Sequence, residues 1–505
     1  MFDGIGDGTF AGGGGDVGNI LSELLGFQGV GDLLKAMSVG DVFPAAPGDL
    51  TPGKLMATVP QDLDDVLHNT AFNSKHILGF NKIAKGKAWS TVHQFVRHHS
   101  PGSAGRRFLF HREGGLPPES DSTFSLEQLK MRYLGSVRRL PIQARLVKNI
   151  VPGGAVKKQN DDGALELLEA AEFATFYGNN DVNPYAFDGL KRTLEREGLV
   201  LDAAGKTPTE EIIDEAMEIA CEKPNWGHPS DMFCSPRMHK TLRQLYADRT
   251  RSMLGDRFHP SYQLNKMDFD HNAEGESVNI IKHPLVIEES PVASPLGEGP
   301  DASRRPVAPI IVAQPAANAD ASSLFNVGAG RPVGDVRYQI AAINEAGVSA
   351  PVTTDVITTE AAHDIRITVK DGAVPNSLQS ATGFLVYRNE AGVTDGAKAT
   401  LIKELSAPAN GANLIIIDLN EDLPGTSEMF IITNRKESIE LMQLLPMFNF
   451  PLGNLDTSFR WALLLFLALK VGTPRQHVLI KNLKPSTNLD KVVVPGDQSA
   501  PQIHI

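Results

Sequence analysis

The chain has 505 residues, about three times an ordinary domain, so two or three domains are expected, and its 41% of apolar residues excludes disorder as a whole. Its 48 basic against 60 acidic residues leave a net charge of −12, which argues against a sequence-reading nucleic-acid binder with a basic face. Cys221 and Cys234 are the only cysteines, which excludes a disulfide scaffold and fits a reducing compartment.

No Lys or Arg precedes Lys35, so a secretory signal with its basic start is not expected. Twelve of the first 40 residues are Gly, and such a stretch loses too much entropy to fold alone. It reads either as a loose tail or as an arm that orders only against another subunit. Residues 61–84 read as a short helix through Leu63, Val66 and Leu67, then a strand. Residues 85–150 carry twelve Lys or Arg against four acids, a net +8, so the rest of the chain is at −20. Extended runs around Val92–Val96 and Leu129–Leu134 flank a middle rich in Gly, Pro and Ser, the pattern of a long hairpin. A lone hairpin is marginal in water, so something else must cover it.

A helix follows, expected to be capped by Asp161 or Asp162 and ended by Gly178. Leu165, Leu168 and Phe176 share one face, and Glu166, Glu169 and Glu172 form an acidic line on another, most simply a solvated surface. Between residues 185 and 290 helix and strand alternate. Thr207-Pro208-Thr209-Glu210 predicts a cap at Thr207 with Pro208 at the first helical position, Ser235-Pro236 opens another helix, and Val278–Glu289 reads as a strand. Six prolines between Pro291 and Pro315 have the composition of a linker. Period-two runs then follow at Val336–Ile340, Ile365–Val369, Phe384–Val386 and Leu414–Leu419, predicting an all-β sandwich. Strand and helix character returns after Gly425, so the sandwich is expected to interrupt another domain. The longest apolar run, Trp461–Leu469, has nine residues against the roughly 20 that cross a bilayer, and predicts a strand buried on both faces.

Catalytic patterns are weak. Ala204-Gly205-Lys206-Thr207 mimics the end of a phosphate-binding loop, but Val200 stands where that loop needs its first Gly. His98 and His99 are adjacent on an expected strand and point to opposite faces, so with His111 and Glu113 they make a poor metal site. Cys221, His228 and Cys234 are too few for a closed zinc site. No nucleophile–base pair stands out, so no enzyme, cofactor or metal is expected. A surface-binding adhesin using the sandwich and a metal-dependent hydrolase are the alternatives.

Opposite charge on two surfaces of one chain suits self-association. The hairpin residues Arg106, Arg107, Phe108, Phe110 and Arg112 of one copy are expected to lie over Glu166, Glu169 and Glu172 of the next, a head-to-tail contact that closes rings or shells.

The order of parts resembles the major capsid proteins of tailed bacteriophages, with the Hong Kong 97-like fold. The likeness is carried by Glu113–Ser122 in the hairpin, Glu172–Asn180 at the end of the long helix, and Thr207–Glu211 with Ser235-Pro236 beyond it. It implies an α+β fold with an N-terminal arm (1–60), the start of a peripheral domain (61–84), an extended loop (85–150), a spine helix (151–184), an axial domain (185–290), an insertion (291–425), a return to the axial and peripheral domains (426–483) and a tail (484–505). The insertion is similar to fibronectin type III or immunoglobulin-like modules, on Tyr338–Pro351 and Phe384–Arg388. The family implies hexamers and pentamers in an icosahedral head, with portal, scaffold and decoration proteins as partners. It also implies a virion assembled in the host cytoplasm around double-stranded DNA, away from membranes. Some relatives weld subunits through a Lys in the loop; no Lys occurs here between Lys87 and Lys130, so a non-covalent shell is expected.

Overall fold

The computed structural model describes residues 74–102, 109–116, 119–146, 154–197, 199–245, 266–268, 277–286, 302–374, 377–394, 399–408, 411–453 and 457–485. The expected arm, the helix at Leu63–Leu67, most of the Pro291–Pro315 linker's first half and the tail beyond 485 lie outside the described residues.

In chain order, α1 (Gly79–Lys82) and β1 (Ala84–Lys87) lead into β2 (Val92–Ser100), β3 (Thr123–Lys130), β4 (Arg132–Pro141), α2 (Ile142–Leu146) and the long α3 (Ala155–Tyr177). Next come α4 (Leu190–Glu197), β5 (Val200–Asp202), α5 (Glu210–Cys221), β6 (Asp231–Cys234), α6 (Pro236–Leu245), β7 (Lys266–Asp268) and β8 (Ser277–Lys282). A run of strands follows: β9 (Ile310–Ala319), β10 (Asp335–Val336), β11 (Tyr338–Asn344), β12 (Gly347–Val348), β13 (Val352–Thr353), β14 (Ile357–Thr358), β15 (His363–Lys370), β16 (Gly383–Arg388), β17 (Thr400–Ser406) and β18 (Leu414–Asp418). The last strands are β19 (Ser427–Ile432), β20 (Ile439–Pro451), β21 (Ser458–Val471) and β22 (Val478–Leu483).

Among the described residues β2 and β3 pair only with each other, as a ribbon. The expected Leu129–Leu134 run is split at Met131, which is buried and whose N–H donates to Thr91 O at 2.8 Å. The chain there leaves the ribbon for a mixed sheet of order β1-β20-β21-β4. β21 holds the Trp461–Leu469 run between two neighbours. Trp461, Leu463, Leu465, Leu467 and Leu469 are all buried, at the period of two that one covered sheet face requires. α3 lies against β4 and β21, with Leu167 packed among Trp461 and Leu463. The other face is only partly covered: Leu464 and Phe466 are half-buried and, on β4, Tyr133 and Val137 are exposed. The expectation of burial on both faces therefore fails for one of them.

Helix starts differ from expectation. α3 begins seven residues before Asp162, which sits inside the helix and pairs with Lys158 at 2.6 Å, so neither Asp161 nor Asp162 caps it. Gly178 does end it: the Gly178 N–H donates to Ala174 O at 2.9 Å, and a Cβ there would lie 2.4 Å from Phe187 O. α5 is capped by Thr209, whose hydroxyl accepts from Ile212 N, rather than by Thr207. Ser235 caps α6 as expected, accepting from Met238 N at 3.2 Å.

The second large sheet has the order β5-β22-β19-β6-β8-β7. Its strands alternate between two cores. Met232, Cys234, Met429, Ile431, Val478 and Ile480 face α5 and α6, whereas Phe233, Phe430 and Leu479 face α3 and α4. β8 stops at Lys282, short of the expected Glu289, because the chain turns at His283, whose N–H donates to Cys234 O at 2.8 Å.

Between β8 and β19 the chain builds three antiparallel sheets, β12-β11-β16-β17 with β13 on β11, β18-β15-β9, and the short pair β10-β14; the first two close over one apolar cluster that includes Tyr338, Ile340, Ile365, Ile367, Phe384 and Val386. Inside it, the Tyr338 hydroxyl donates to Asp418 at 2.7 Å, and Arg388 pairs with the same carboxylate. β9 takes in Pro315, which the composition assigned to a linker. It is an edge strand with a register shift against β15, where a residue without an N–H is tolerated. The sandwich sits on the turn after β5. Arg331, buried, reaches Asp202, and the Gly330 backbone packs on Ala204 so closely that a Cβ would lie 1.9 Å from Ala204 O.

One buried carboxylate ties the start of the described chain to α3. Glu172 is fully buried and accepts from the N–H groups of Leu78 (2.8 Å), Gly79 (2.5 Å) and Phe80 (2.6 Å). It also meets His283 Nε2 at 2.6 Å. His283 Nδ1 accepts from Leu285 N, so the ring proton is on Nε2 and is donated to Glu172. Removing one partner of such a cluster leaves the others buried and unpaired. Glu172→Ala is expected to cost about 3–5 kcal/mol in urea unfolding of unassembled subunits, with Glu172→Gln costing less; hydrogen exchange at residues 78–80 should rise in both. An unchanged midpoint for Glu172→Ala would refute this anchoring.

His477 gives a pH dependence. Burial pushes its imidazole down to about 4, while its Nδ1 accepts from Thr433 N at 3.1 Å. A base held low in the folded state stays neutral while the unfolded chain takes up its proton, so its contribution is intact above pH 6.5 and is lost as pH falls towards 4. Stability measured against a His477→Gln control should fall by about 3 kcal/mol between pH 7 and pH 4. Parallel pH profiles for the two chains would contradict it.

Candidate assembly surface

The ribbon is built by alternation. His93, Phe95 and Arg97 on β2, with Ser125, Glu127 and Leu129 on β3, turn to one face and are half-covered; Val92, Val96, Phe124 and Leu126 turn to the other and are exposed. The covered face is fastened at its root. Arg97 Nη2 donates to Val471 O at 3.0 Å, its Nη1 meets Glu197 at 3.3 Å, and Lys470 lies over the Phe95 ring. On the open face Val96 is registered opposite Leu126, and the His98 ring stacks on Phe124, 4.9 Å between centroids. Towards the tip Leu109, Phe110, Arg112 and Leu116 are exposed, Phe110 to 90%. Arg106, Arg107 and Phe108 lie outside the described residues. An isolated ribbon whose outer face carries cross-strand apolar pairs keeps in water the area that would stabilise it.

The acidic line on α3 is not one surface. Successive steps of three residues fall about 60° short of a full turn, so the three carboxylates rotate from solvent into the core. Glu166 is exposed and already holds Arg138 at 2.5 Å and the Ser136 hydroxyl at 2.7 Å. Glu169 is half-buried, and burial, then the neighbouring Glu166 charge, raises its carboxyl. Glu172 is the buried anchor described above and has no free surface for another subunit. The expected docking of the hairpin on all three is corrected accordingly: only Glu166 and Glu169 present any surface. His283, which completes the Glu172 cluster, was missed by sequence reasoning; a lone His after a strand carries no periodic signal.

The discounted motifs also find places. Ala204 and Gly205 form a turn with φ of 51° and 73°, seating the sandwich rather than a phosphate. His98 stacks on Phe124, and His99 Nε2 bonds Ser125 Oγ at 2.8 Å. Burial pushes the Cys234 thiol up to about 12, and neither cysteine is in a disulfide. Among the described residues no group of three His, Cys, Asp or Glu side chains is placed to hold a metal ion, and no helix is long and apolar enough to cross a membrane.

No protein-family model matches the chain. The major capsid proteins of Staphylococcus phage K and Staphylococcus phage S25-3 are each 24% identical to it over 450 residues, covering 84% of this chain and 89% of theirs. Among solved structures, the capsid of a native GTA particle is similar with a TM-score of 0.42 and 7% identity, covering 87% of this chain and all of that one. The SrpI encapsulin from Synechococcus elongatus is similar with a TM-score of 0.37 and 9% identity, covering 84% and 94%. The α+β class with its extended ribbon and long helix holds as expected from the sequence. Over most of its length, the chain is a homologue of the major capsid proteins of tailed phages.

Proposed function

We propose that copies of this chain tile the head shell of a tailed phage, each copy laying its ribbon on the next. The observation that carries the reading is the match along 84% of the chain to phage major capsid proteins. The ribbon's open face supports it, since Val96, Phe124 and Leu126 are left uncovered among the described residues. Head-to-tail contacts of this kind close into hexamers and pentamers, with the N-terminal arm and α3 adding further surface. The virion is assembled in the host cytoplasm and encloses double-stranded DNA, which an acidic chain holds without sequence-specific grip. The sandwich, read as an immunoglobulin- or fibronectin-like insertion over residues 291–425, stands on the outer surface. Portal, scaffold and decoration proteins are the partners in this reading, and the chain turns over no substrate.

Electron microscopy of the expressed full chain is expected to show closed shells or ring-like hexamers; a monodisperse monomer at high concentration would end the reading. Reducing, denaturing gels of the particles should show single-length chains, because the hairpin carries no Lys between Lys87 and Lys130; covalent ladders would count against a non-covalent shell. Reversing Arg106 and Arg107 to Glu should leave the circular dichroism of subunits unchanged and impair assembly, and normal shells from that variant would remove the hairpin's charge from the mechanism.

A further inference from the structure

We infer that a groove beside β17 receives the Arg106–Arg112 run of a second copy of the chain. The inference rests on the capsid reading above and names where one of its contacts lands. The groove encloses about 820 Å³ between β17 and the facing α4 and end of α3. All seven residues of β17, Thr400 to Ser406, border it in succession. Side chains of a strand alternate between its faces, so a cavity that touches every residue follows the strand's edge. Among the described residues β17 pairs only with β16, and its other edge offers unpaired backbone groups to an incoming segment.

The charges point to the occupant. The groove's acids outnumber its bases, and those bases that face the acids are already engaged: Lys191 with Glu428 at 2.5 Å, Lys481 with Asp422 at 3.0 Å, and Arg192 with Asp181. What remains is negative. Glu404 accepts only the Asn179 amide, at 3.0 Å, and has no ion pair among the described residues. Glu428 Oε2 is buried without a hydrogen-bond partner. Glu195 has Arg192 no nearer than 3.8 Å. Burial raises the carboxyls of Glu195 and Glu404, while the nearby Lys191 works against that shift in both.

The run Arg106-Arg107-Phe108-Leu109-Phe110-His111-Arg112 supplies three guanidinium groups and no acid. Its described part, Leu109 to Arg112, is exposed throughout, so it does not occupy the groove of its own chain. Guanidinium groups suit buried carboxylates because they present several donors at once, and Leu109 and Phe110 bring the apolar area that gives such a contact its strength.

The test uses the full chain. With Phe110→Cys and Ser406→Cys combined, a short thiol cross-linker applied to assembled particles should produce covalent ladders of subunits, while each single variant stays at one chain length. Separately, Glu404→Lys should lower the assembled fraction roughly tenfold, and adding Arg112→Glu should restore it. Absence of ladders in the double-cysteine particles, a cross-link within one chain, or normal assembly of Glu404→Lys would each overturn the docking. If Glu404→Lys subunits lose their circular dichroism, the cross-linking result alone decides. Failure of the unaltered chain to assemble would instead overturn the capsid reading.

Discussion

A two-stranded ribbon has two faces and no third layer to cover them. That constraint governs the rest of this molecule. Both large sheets are backed by helices, and the sandwich closes over its own core. Among the described residues the ribbon has no such backing beyond its root, where Arg97 and Phe95 hold it to β21 and α4. Its outer face leaves cross-strand pairs such as Val96 and Leu126 in water. Burying each such pair stabilises by a fraction of a kcal/mol to about 1 kcal/mol, an energy that the described residues of one copy leave unrealised.

The rigid body behind the ribbon depends on a few polar contacts placed where apolar packing alone would slip. Glu172 is the clearest. Three amides from the α1 segment, the His283 imidazole and the neighbouring ring of Phe176 fix where the chain enters the core relative to the long helix. The Arg331–Asp202 pair does the same between the sandwich and the turn after β5, where Gly330 permits the backbones to meet. Each cluster is costly to break and gives little net gain over an apolar substitute, so its effect is on geometry more than on stability.

Much of this was legible in the sequence, and the misses have physical reasons. Nine apolar residues closed by Lys470 announced a central strand, and Ser235-Pro236 announced a helix start, because both patterns act locally. Period two in Ile365–Val369 and Phe384–Val386 announced strands for the same reason. The failures came where distant chain segments decide. Met131 breaks an apparently continuous strand because its amide is claimed by Thr91. Pro315 fits a strand because β9 happens to be an edge. Asp161 and Asp162 fit the pattern of a cap, yet the helix already starts at Ala155, and Asp162 pairs with Lys158 inside it. Glu172 looks like its neighbours Glu166 and Glu169 on paper, and only the arrival of residues 78–80 and 283 turns it into a core residue.

The charge pattern then assumes a definite part in assembly. Copies at −12 repel one another on average, and at physiological salt that repulsion fades beyond a Debye length of about 8 Å. Attraction therefore has to be local and has to accompany apolar burial. Glu166 is already held by Arg138 and Glu172 is out of reach, so of the three acids in the α3 line only the half-buried Glu169 is left to an incoming arginine. Glu404, which has no ion pair among the described residues, lies instead on β17, in partly buried surroundings where screening is weaker and a guanidinium gains more per contact. Apolar pairs on the ribbon supply area without direction, and a few desolvated carboxylates supply direction with little area. A tiling protein needs both, since area alone would let subunits slide in register and charge alone would not survive salt.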